Sequence, residues 1–212
     1  MARLLGGELL EVTPYAGVRW VLHLRPFRPL ELFFLYIADE EFGPDLRVYF
    51  GPLSRAVPTE DAYVFAWDYL AVLARYGRRE YPLALAAPAP EWLSVAEFAP
   101  PEARPIQEQA IGVREEVLPR LQAPLVEVAV ARLERGRCQA LPAGWQVTWP
   151  ILGDAAFRLT LSEGEVELAF DRHGACKYTP EILLSFAWLY INALIREYRQ
   201  VDPTLPRLSR YL

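Results

Sequence analysis

Apolar residues recur at helical spacing in two stretches of the chain, Pro58–Arg78 and Tyr178–Tyr198. In both stretches they cover more than one side of the predicted helix, which is typical of a helix that is buried on several sides. The longest apolar run, Ile182–Ile195, is too short to span a membrane and is interrupted by Ser185 and Asn192. The pattern therefore predicts two long buried helices at the centre of the protein.

The two helical stretches are also similar to each other in sequence. Aligned without gaps at a separation of 121 residues (186 − 65 = 121), they share identical residues along most of their length. The identical pairs are Glu60–Glu181, Phe65–Phe186, Ala66–Ala187, Trp67–Trp188, Tyr69–Tyr190, Leu73–Leu194, Arg75–Arg196 and Arg78–Arg199. Unrelated segments of ordinary composition would share roughly one or two residues over this length. We therefore predict an internal duplication in which each copy ends in a long helix.

Shorter runs with the alternation of β-strands precede each helix. The first group is Leu9–Thr13, Gly17–Leu24, Leu30–Ala38 and Asp45–Phe50, and the second is Leu125–Ala131, Gly144–Ile151, Ala155–Ser162 and Glu165–Asp171. The three valines of Leu125–Ala131 favour a strand, although its end could also continue as a helix. Turn residues at Glu163-Gly164 predict a hairpin between the last two runs.

This order predicts an α+β fold of two pseudo-symmetric β-β-β-β-α repeats, with a mostly antiparallel sheet packed on two long buried helices. The first repeat covers residues 1–81, a proline-rich connection with short helices covers 82–123, and the second repeat covers 124–212. One such short helix is expected at Ile106–Leu118. The halves could form one continuous sheet or two domains face to face, and the apolar helices favour one shared core.

Composition excludes some classes of function. The chain has 212 residues, is 53% hydrophobic and carries a net charge of −5 without a long basic cluster, so a nucleic-acid partner is not expected. Neither a signal peptide nor a membrane-spanning segment is recognisable, so we expect a cytoplasmic protein whose two cysteines are reduced. The 19 prolines and single asparagine suit a thermophile, whereas the abundant arginine is equally expected from a GC-rich genome.

A short pattern in the first half resembles a known family. The run Ala38–Pro44 (ADEEFGP) is followed by the strand Leu46–Phe50 and by the helix start Val57–Asp61 (VPTED). This resembles the closing segment of an uncharacterised bacterial family, domain of unknown function 3786. The second half keeps only Phe170-Asp171 and Tyr178–Glu181. The resemblance implies that the acidic turn and the helix start belong together, and it implies no activity, cofactor or catalytic residue.

The residues Asp171–Lys177 are the first candidate for chemistry, because they precede a buried helix and include rare residue types. His173 and Cys176 have the His-x-x-Cys spacing that can supply two metal ligands, and Asp171 or Cys138 could add another. Cys176 could alternatively be a nucleophile stabilised at the helix start, with His173 beside it. The absence of a Cys-x-x-Cys pair and of a fuller ligand set favours an ordinary surface loop instead.

Other polar groups are weaker candidates. The acidic run Asp39–Glu41 could bind a hard cation, although a charged cluster at a hairpin turn is usually solvated. His23 is expected to face solvent or to have its hydrogen bonds satisfied. Ser185 and Asn192 are expected to pair with the backbone of the other copy, because buried polar groups need partners. They could instead line a ligand pocket together with Trp188 and Tyr190.

The sequence contains no recognisable nucleotide-binding loop, zincin motif or hydrolase motif. The leading hypothesis is therefore a cytosolic binding or assembly module without enzymatic activity, acting as a homodimer or with a protein partner. Aromatic, proline-rich elements at Trp92 and Trp149-Pro150 are predicted to form its surface. The alternatives are a metal- or cofactor-associated protein with its site at His173 and Cys176, and a small-molecule enzyme with a pocket between the two helices. The residues identify no cofactor.

Overall fold

The computed structural model describes residues 2–12, 17–78, 80, 91–94, 97, 116–153 and 155–205. Within these ranges the chain is a mixed α+β protein with two antiparallel sheets and four α-helices. The predicted α+β class and the antiparallel pairing of its strands are therefore confirmed. The arrangement as two pseudo-symmetric repeats stays a prediction.

The first sheet is a meander whose strands are hydrogen-bonded in chain order. Its strands are β1 (Glu8–Leu10), β2 (Val18–Phe27), β3 (Leu30–Asp39) and β4 (Gly43–Phe50). In β3 the alternation of side chains places Leu32 and Phe34 in the core, while Phe33 lies on the opposite face. Phe33 pairs with His23 of β2 on one side and with Tyr49 of β4 on the other. Strand β4 pairs with no further strand in the described ranges, where it is therefore an edge strand of this sheet.

The second sheet contains a similar meander and one additional strand. Its strands are β5 (Trp92–Ser94), β6 (Arg137–Leu141), β7 (Gly144–Leu152), β8 (Ala155–Ser162) and β9 (Glu165–Asp171), in the spatial order β5-β9-β8-β7-β6. The predicted hairpin joins β8 to β9, and both of its turn residues have positive φ, 54° at Glu163 and 86° at Gly164. Because Leu93 of β5 pairs with Phe170 of β9, the last strand of this meander is covered.

The helices are α1 (Thr59–Gly77), α2 (Ala123–Arg132), α3 (Arg172–Lys177) and α4 (Pro180–Val201). Helix α4 begins as predicted, with Thr179 at the N-cap position and Pro180 as its first residue, where the missing N–H is not needed. It contacts α1 on one side and α2 on another, and nearly every side chain in its central turns is buried. This burial explains why its apolar residues cover all sides.

Four aromatic rings occupy the interface between α1 and α4. Phe65 lies edge-to-face on Tyr190 with 5.6 Å between ring centroids, and Tyr69 lies edge-to-face on Phe186 at 5.0 Å. In the alignment of the two helices, Phe65 is equivalent to Phe186 and Tyr69 to Tyr190. Each contact therefore joins the phenylalanine of one helix to the tyrosine of the other, and exchanging the two helices converts one contact into the other. Phe65 and Phe186, which are equivalent to each other, are 5.8 Å apart.

Rings from both sheets contact this helix pair. Phe27 of β2 lies 5.3 Å from Phe65 and 5.4 Å from Tyr190. Trp149 of β7 is stacked on Tyr190 from the second sheet, with 6.1 Å between ring centroids. All four of these side chains are buried and belong to one hydrophobic core, so in the described ranges the two halves meet through side chains.

Two predictions in the second half need correction or qualification. Leu125–Ala131 is not a strand, because it lies within α2, whose buried residues Val126, Ala129 and Val130 follow helical spacing. The missing strand of the meander is β6, which the sequence pattern did not predict. The helix predicted at Ile106–Leu118 lies almost wholly outside the described residues.

Candidate functional site

The predicted metal ligands lie at the junction of β9 and α3. Asp171 is the N-cap of α3, and its Oδ1 accepts a hydrogen bond from the Gly174 N–H at 2.8 Å. Its Oδ2 accepts from the main-chain N–H of Ala156 on β8. His173 is exposed, and the side chain of Cys176 lies outside the described part of the structure. The Asp171 carboxylate thus joins a helix start to a strand.

No group of three or more His, Cys, Asp or Glu side chains in the described ranges could hold a metal ion. Cys138, considered as a further ligand, lies half-buried on β6, where burial raises the pKa of its thiol. A raised pKa disfavours the thiolate that binds metals. The metal site at His173 and Cys176 stays a prediction.

The acidic turn between β3 and β4 is held by its own backbone. Asp39 Oδ1 accepts hydrogen bonds from the N–H groups of Glu41 at 2.8 Å and Phe42 at 2.9 Å. The hydrogen bonds from Phe42 and then Glu41 lower the pKa of Asp39. This is the arrangement of a solvated, capped turn, and it presents Phe42 at the tip with 84% of its surface exposed.

His23 is fully hydrogen-bonded within the first sheet. Its Nδ1 lies 3.0 Å from a carboxylate oxygen of Glu8 on β1, and its Nε2 lies 2.8 Å from one of Glu31 on β3. Its ring is stacked on Phe33 with 4.6 Å between centroids. The histidine therefore links three strands, and its contacts match the satisfied histidine that we considered.

A line of polar contacts joins α1 to α4 beside the aromatic rings. Ser185 donates a hydrogen bond to Asp68 Oδ2 at 2.6 Å, and Asp61 pairs with Arg196. Burial raises the pKa of Asp68 to about 6, an effect that the Ser185 hydroxyl opposes. Ser185 thus contacts a side chain of the first helix and not the backbone of the other copy. The buried Asp68 was not among the predicted candidates.

Two cavities adjoin the turn between β2 and β3, and each includes an arginine that is paired with a carboxylate. One, of about 510 Å³, includes Arg28, which forms an ion pair with Glu134 at 2.8 Å. The other, of about 390 Å³, includes Arg132, whose Nε lies 2.9 Å from Glu197. The other lining arginines include Arg135 and Arg199, which donate to the main-chain carbonyls of Arg25 and Leu205. This mixture of partners does not identify a ligand class for either cavity.

The two tryptophans that were predicted to form an aromatic surface, Trp92 and Trp149, are not exposed. Trp149 is fully buried and donates its Nε1–H to the Arg135 carbonyl at 3.0 Å, so it is a core residue. Trp92 is half-buried, with the Arg158 guanidinium 4.8 Å from its ring centroid. These two tryptophans therefore do not form an exposed binding element.

Exposed apolar residues lie on β4 and the turn before it, and also on α1, where Tyr63 is stacked on Trp67. We define the β4 edge surface as Phe42, Leu46, Tyr49 and Phe50, of which the three strand residues are 40%, 47% and 45% exposed. Alternation places Leu46 and Phe50 on the same face as Val48, which packs against the core. Tyr49 lies on the opposite face with Asp45 and Arg47, whose side chains pair at 2.7 Å.

Backbone hydrogen bonds show which groups of β4 remain available at the edge. The Gly51 N–H donates to the Glu31 carbonyl, and the Ala38 N–H donates away from β4 to Gly17. By alternation, the odd residues of β4 direct their main-chain groups towards β3. The even residues Leu46 and Val48 therefore direct theirs towards the free side of the strand. An exposed edge of this kind can pair with another strand.

The comparisons with known proteins return no match among protein-family models, curated proteins or solved structures. The resemblance to domain of unknown function 3786 thus stays a prediction. Across the described residues, the longest apolar helices fall short of what crossing a membrane requires.

Proposed function

We propose that the protein is a non-enzymatic assembly module that binds a protein partner by strand addition at β4. The observation that carries this proposal is the difference between the two sheets. In the second sheet β5 covers the edge of β9, and Phe170 is fully buried. In the first sheet β4 is an edge strand, and its equivalent terminal phenylalanine, Phe50, is 45% exposed.

Strand addition suits the chemistry of this edge. The free side of β4 offers main-chain donors and acceptors, and one face adds apolar contacts from Leu46 and Phe50. Main-chain hydrogen bonds contribute affinity in this mode of recognition, whereas side chains on alternating faces provide specificity. The exposed Asp45–Arg47 pair adds charges of both signs on the other face. A partner strand is therefore expected to carry charged groups on one face and apolar groups on the other.

We also propose that the assembly module consists of two pseudo-symmetric β-β-β-β-α repeats whose sheets pack on α1 and α4. The exchanged ring contacts of Phe65 with Tyr190 and of Tyr69 with Phe186 support a twofold relation between the helices. The same rings fill the helix interface, which argues against an enzyme pocket at these positions.

Site-specific photo-crosslinking tests the proposed binding mode. A benzoylphenylalanine in place of Tyr49 is expected to crosslink to an extended segment of a protein partner in cells that make this protein. The control is the same group at Val128 of α2, which is 44% exposed, and should not crosslink. A second substitution, Val48→Pro, removes an edge N–H and should abolish the crosslink. Equal yields at both positions, or none at Tyr49, would contradict the proposal.

The alternative of a metal-associated protein has a separate test. Elemental analysis of untagged protein, purified without added metal or chelator, should find no stoichiometric metal if the protein is an assembly module of the proposed kind. Near-stoichiometric zinc, iron or nickel that is lost in His173→Ala would favour the site at His173 and Cys176 instead. Trace metal that is unchanged in this variant would leave the loop without that role.

A further inference from the structure

We infer that the partner of β4 is a second copy of this chain, paired antiparallel to it about a twofold axis at Leu46. The inference rests on the proposed assembly function and adds the identity of the partner and the register of pairing. In such a pair, residues equally far from the axis on the two copies lie opposite each other. The position of the axis therefore decides which charges meet.

The charges on one face of β4 favour an axis at Leu46 over one at either neighbouring residue. An axis at Asp45 would place the two Asp45 carboxylates opposite each other, and an axis at Arg47 would do the same with the two guanidinium groups. An axis at Leu46 places Asp45 of each copy opposite Arg47 of the other, twice by symmetry. Opposite charges directly across two strands are favourable, and like charges are unfavourable.

The other face is complementary in the same register. Leu46 lies opposite Leu46 of the second copy and Pro44 lies opposite Val48, so the turn that carries Phe42 is brought towards Phe50 of the other copy. Leu46, Val48 and Phe50 lie on the core side of the first sheet, because the even positions of β4 share the face of Val48. The exposed parts of Leu46, Phe42 and Phe50 would be covered together.

The backbone permits this pairing. The N–H and carbonyl of Leu46 face the free edge, so the two copies of Leu46 can exchange hydrogen bonds. The N–H of Val48 in each copy can donate to the Pro44 carbonyl of the other. Pro44 has no N–H to donate, which removes one hydrogen bond from each end of the ladder. The ladder is short, and we therefore expect a weak dimer that depends on concentration.

The second copy would stand where β5 stands in the second sheet. There, β5 runs antiparallel to β9 and places Leu93 beside Phe170. In the proposed dimer, β4 of the second copy runs antiparallel to β4 and brings Phe42 beside Phe50. Each first sheet thereby gains the neighbour that its edge lacks within the described residues.

Charge exchange at Asp45 and Arg47 tests the register by sedimentation velocity. Wild-type protein should dimerise as its concentration rises. Asp45→Arg and Arg47→Asp each create like charges at both contacts, and each should weaken dimerisation about tenfold or more. The double variant D45R/R47D should regain wild-type association. An equimolar mixture of the two single variants should form a heterodimer, because arginines of one chain then face aspartates of the other.

Glu127→Arg, an exposed charge change on α2, is the control and should dimerise like wild type. Unchanged association in both single variants, or a mixture that stays monomeric, would overturn the register. Wild-type protein that stays monomeric while Tyr49 crosslinks to a different protein would overturn self-pairing and leave the proposed assembly function standing. A monomer without any Tyr49 crosslink would overturn both. Far-UV circular dichroism checks that each variant is folded.

Discussion

Strands β4 and β9 occupy corresponding places in the two sheets but differ in what covers them. Each is the last strand of a four-strand meander, and each carries a phenylalanine near its end. Phe170 is fully buried beneath the pairing of β5 with β9, whereas Phe50 remains 45% exposed on the free edge of β4. Strand β5, which comes from a distant part of the chain, pairs with β9, and the segment Leu118–Arg120 and helix α3 also contact β9.

The sequences of the two strands match these different surroundings. In β9, Leu168, Ala169 and Phe170 are consecutive and all buried, as in a strand that is covered on both faces. In β4, the charges of Asp45 and Arg47 alternate with apolar residues, which suits a strand with one wet face. The comparison teaches that β4 has the pattern of a strand with one solvated face, which the proposed pairing with a second copy would leave solvated.

The largest expected effect distinguishes the two terminal phenylalanines by stability. Phe170→Ala should lower the free energy of unfolding by about 3–5 kcal/mol, because it empties a fully buried site. Phe50→Ala should lower the stability of the monomer by less than about 1 kcal/mol, because its side chain is half exposed. Urea denaturation at low protein concentration measures both. Similar losses of unfolding free energy in the two variants would show that the burial of Phe170 does not stabilise the protein more than the half-exposed position of Phe50 does.

Most of the regular elements could be predicted from local patterns. The strands β2, β3, β7, β8 and β9 follow runs of alternating or aromatic residues, and the helices α1 and α4 follow long apolar stretches. Strand β6 could not be found this way, because Arg137–Leu141 is mostly exposed and is defined by its pairing with β7. The valines of α2 favoured a strand, but burial of Val126 and Val130 on one helix face overrode that propensity.

The candidate surface was less predictable, because exposure depends on which strands become neighbours. Local pattern places Phe50 at the end of a strand, as it does Phe170, and the two differ in the elements that pack around them, among them β5 beside β9. The rare residue types His173 and Cys176 predicted a site in the segment after β9. The Asp171 carboxylate in this segment accepts hydrogen bonds from main-chain N–H groups of α3 and β8. Burial of Asp68 depends on Ser185 from the other long helix, which local pattern cannot show.

The helices that follow the two meanders should differ in their response to pH. Burial raises the pKa of Asp68 in α1 to about 6, and its equivalent in α4 is the buried Leu189. Folding favours the protonated form of the Asp68 carboxyl. The stability that this protonated group contributes is therefore fully present below pH 4 and is lost as the pH rises through 6. The loss is about 3 kcal/mol for a shift from 3.8 to about 6.

Asp68→Asn should remove this loss, because the amide stays neutral and can still accept the hydrogen bond of Ser185. We expect the variant to match the wild type near pH 4 and to exceed it at pH 8 in urea denaturation. Asp61→Asn is the contrasting control, since it removes the partner of Arg196 and should reduce stability at pH 8. A difference between Asp68→Asn and wild type that is constant with pH would refute the assigned titration.

The smallest expected effect concerns the residue that ends β9. Asp171→Ala should lower the free energy of unfolding by about 1–2 kcal/mol, because it removes the N-cap of α3 and the acceptor of the Ala156 N–H. His173→Ala, an exposed change two residues later, is the control and should alter stability by less than about 0.5 kcal/mol. Thermal unfolding of both variants at one pH measures the difference. If His173→Ala were as destabilising as Asp171→Ala, the junction between β9 and α3 would depend on a contact of His173 and not on the Asp171 carboxylate alone.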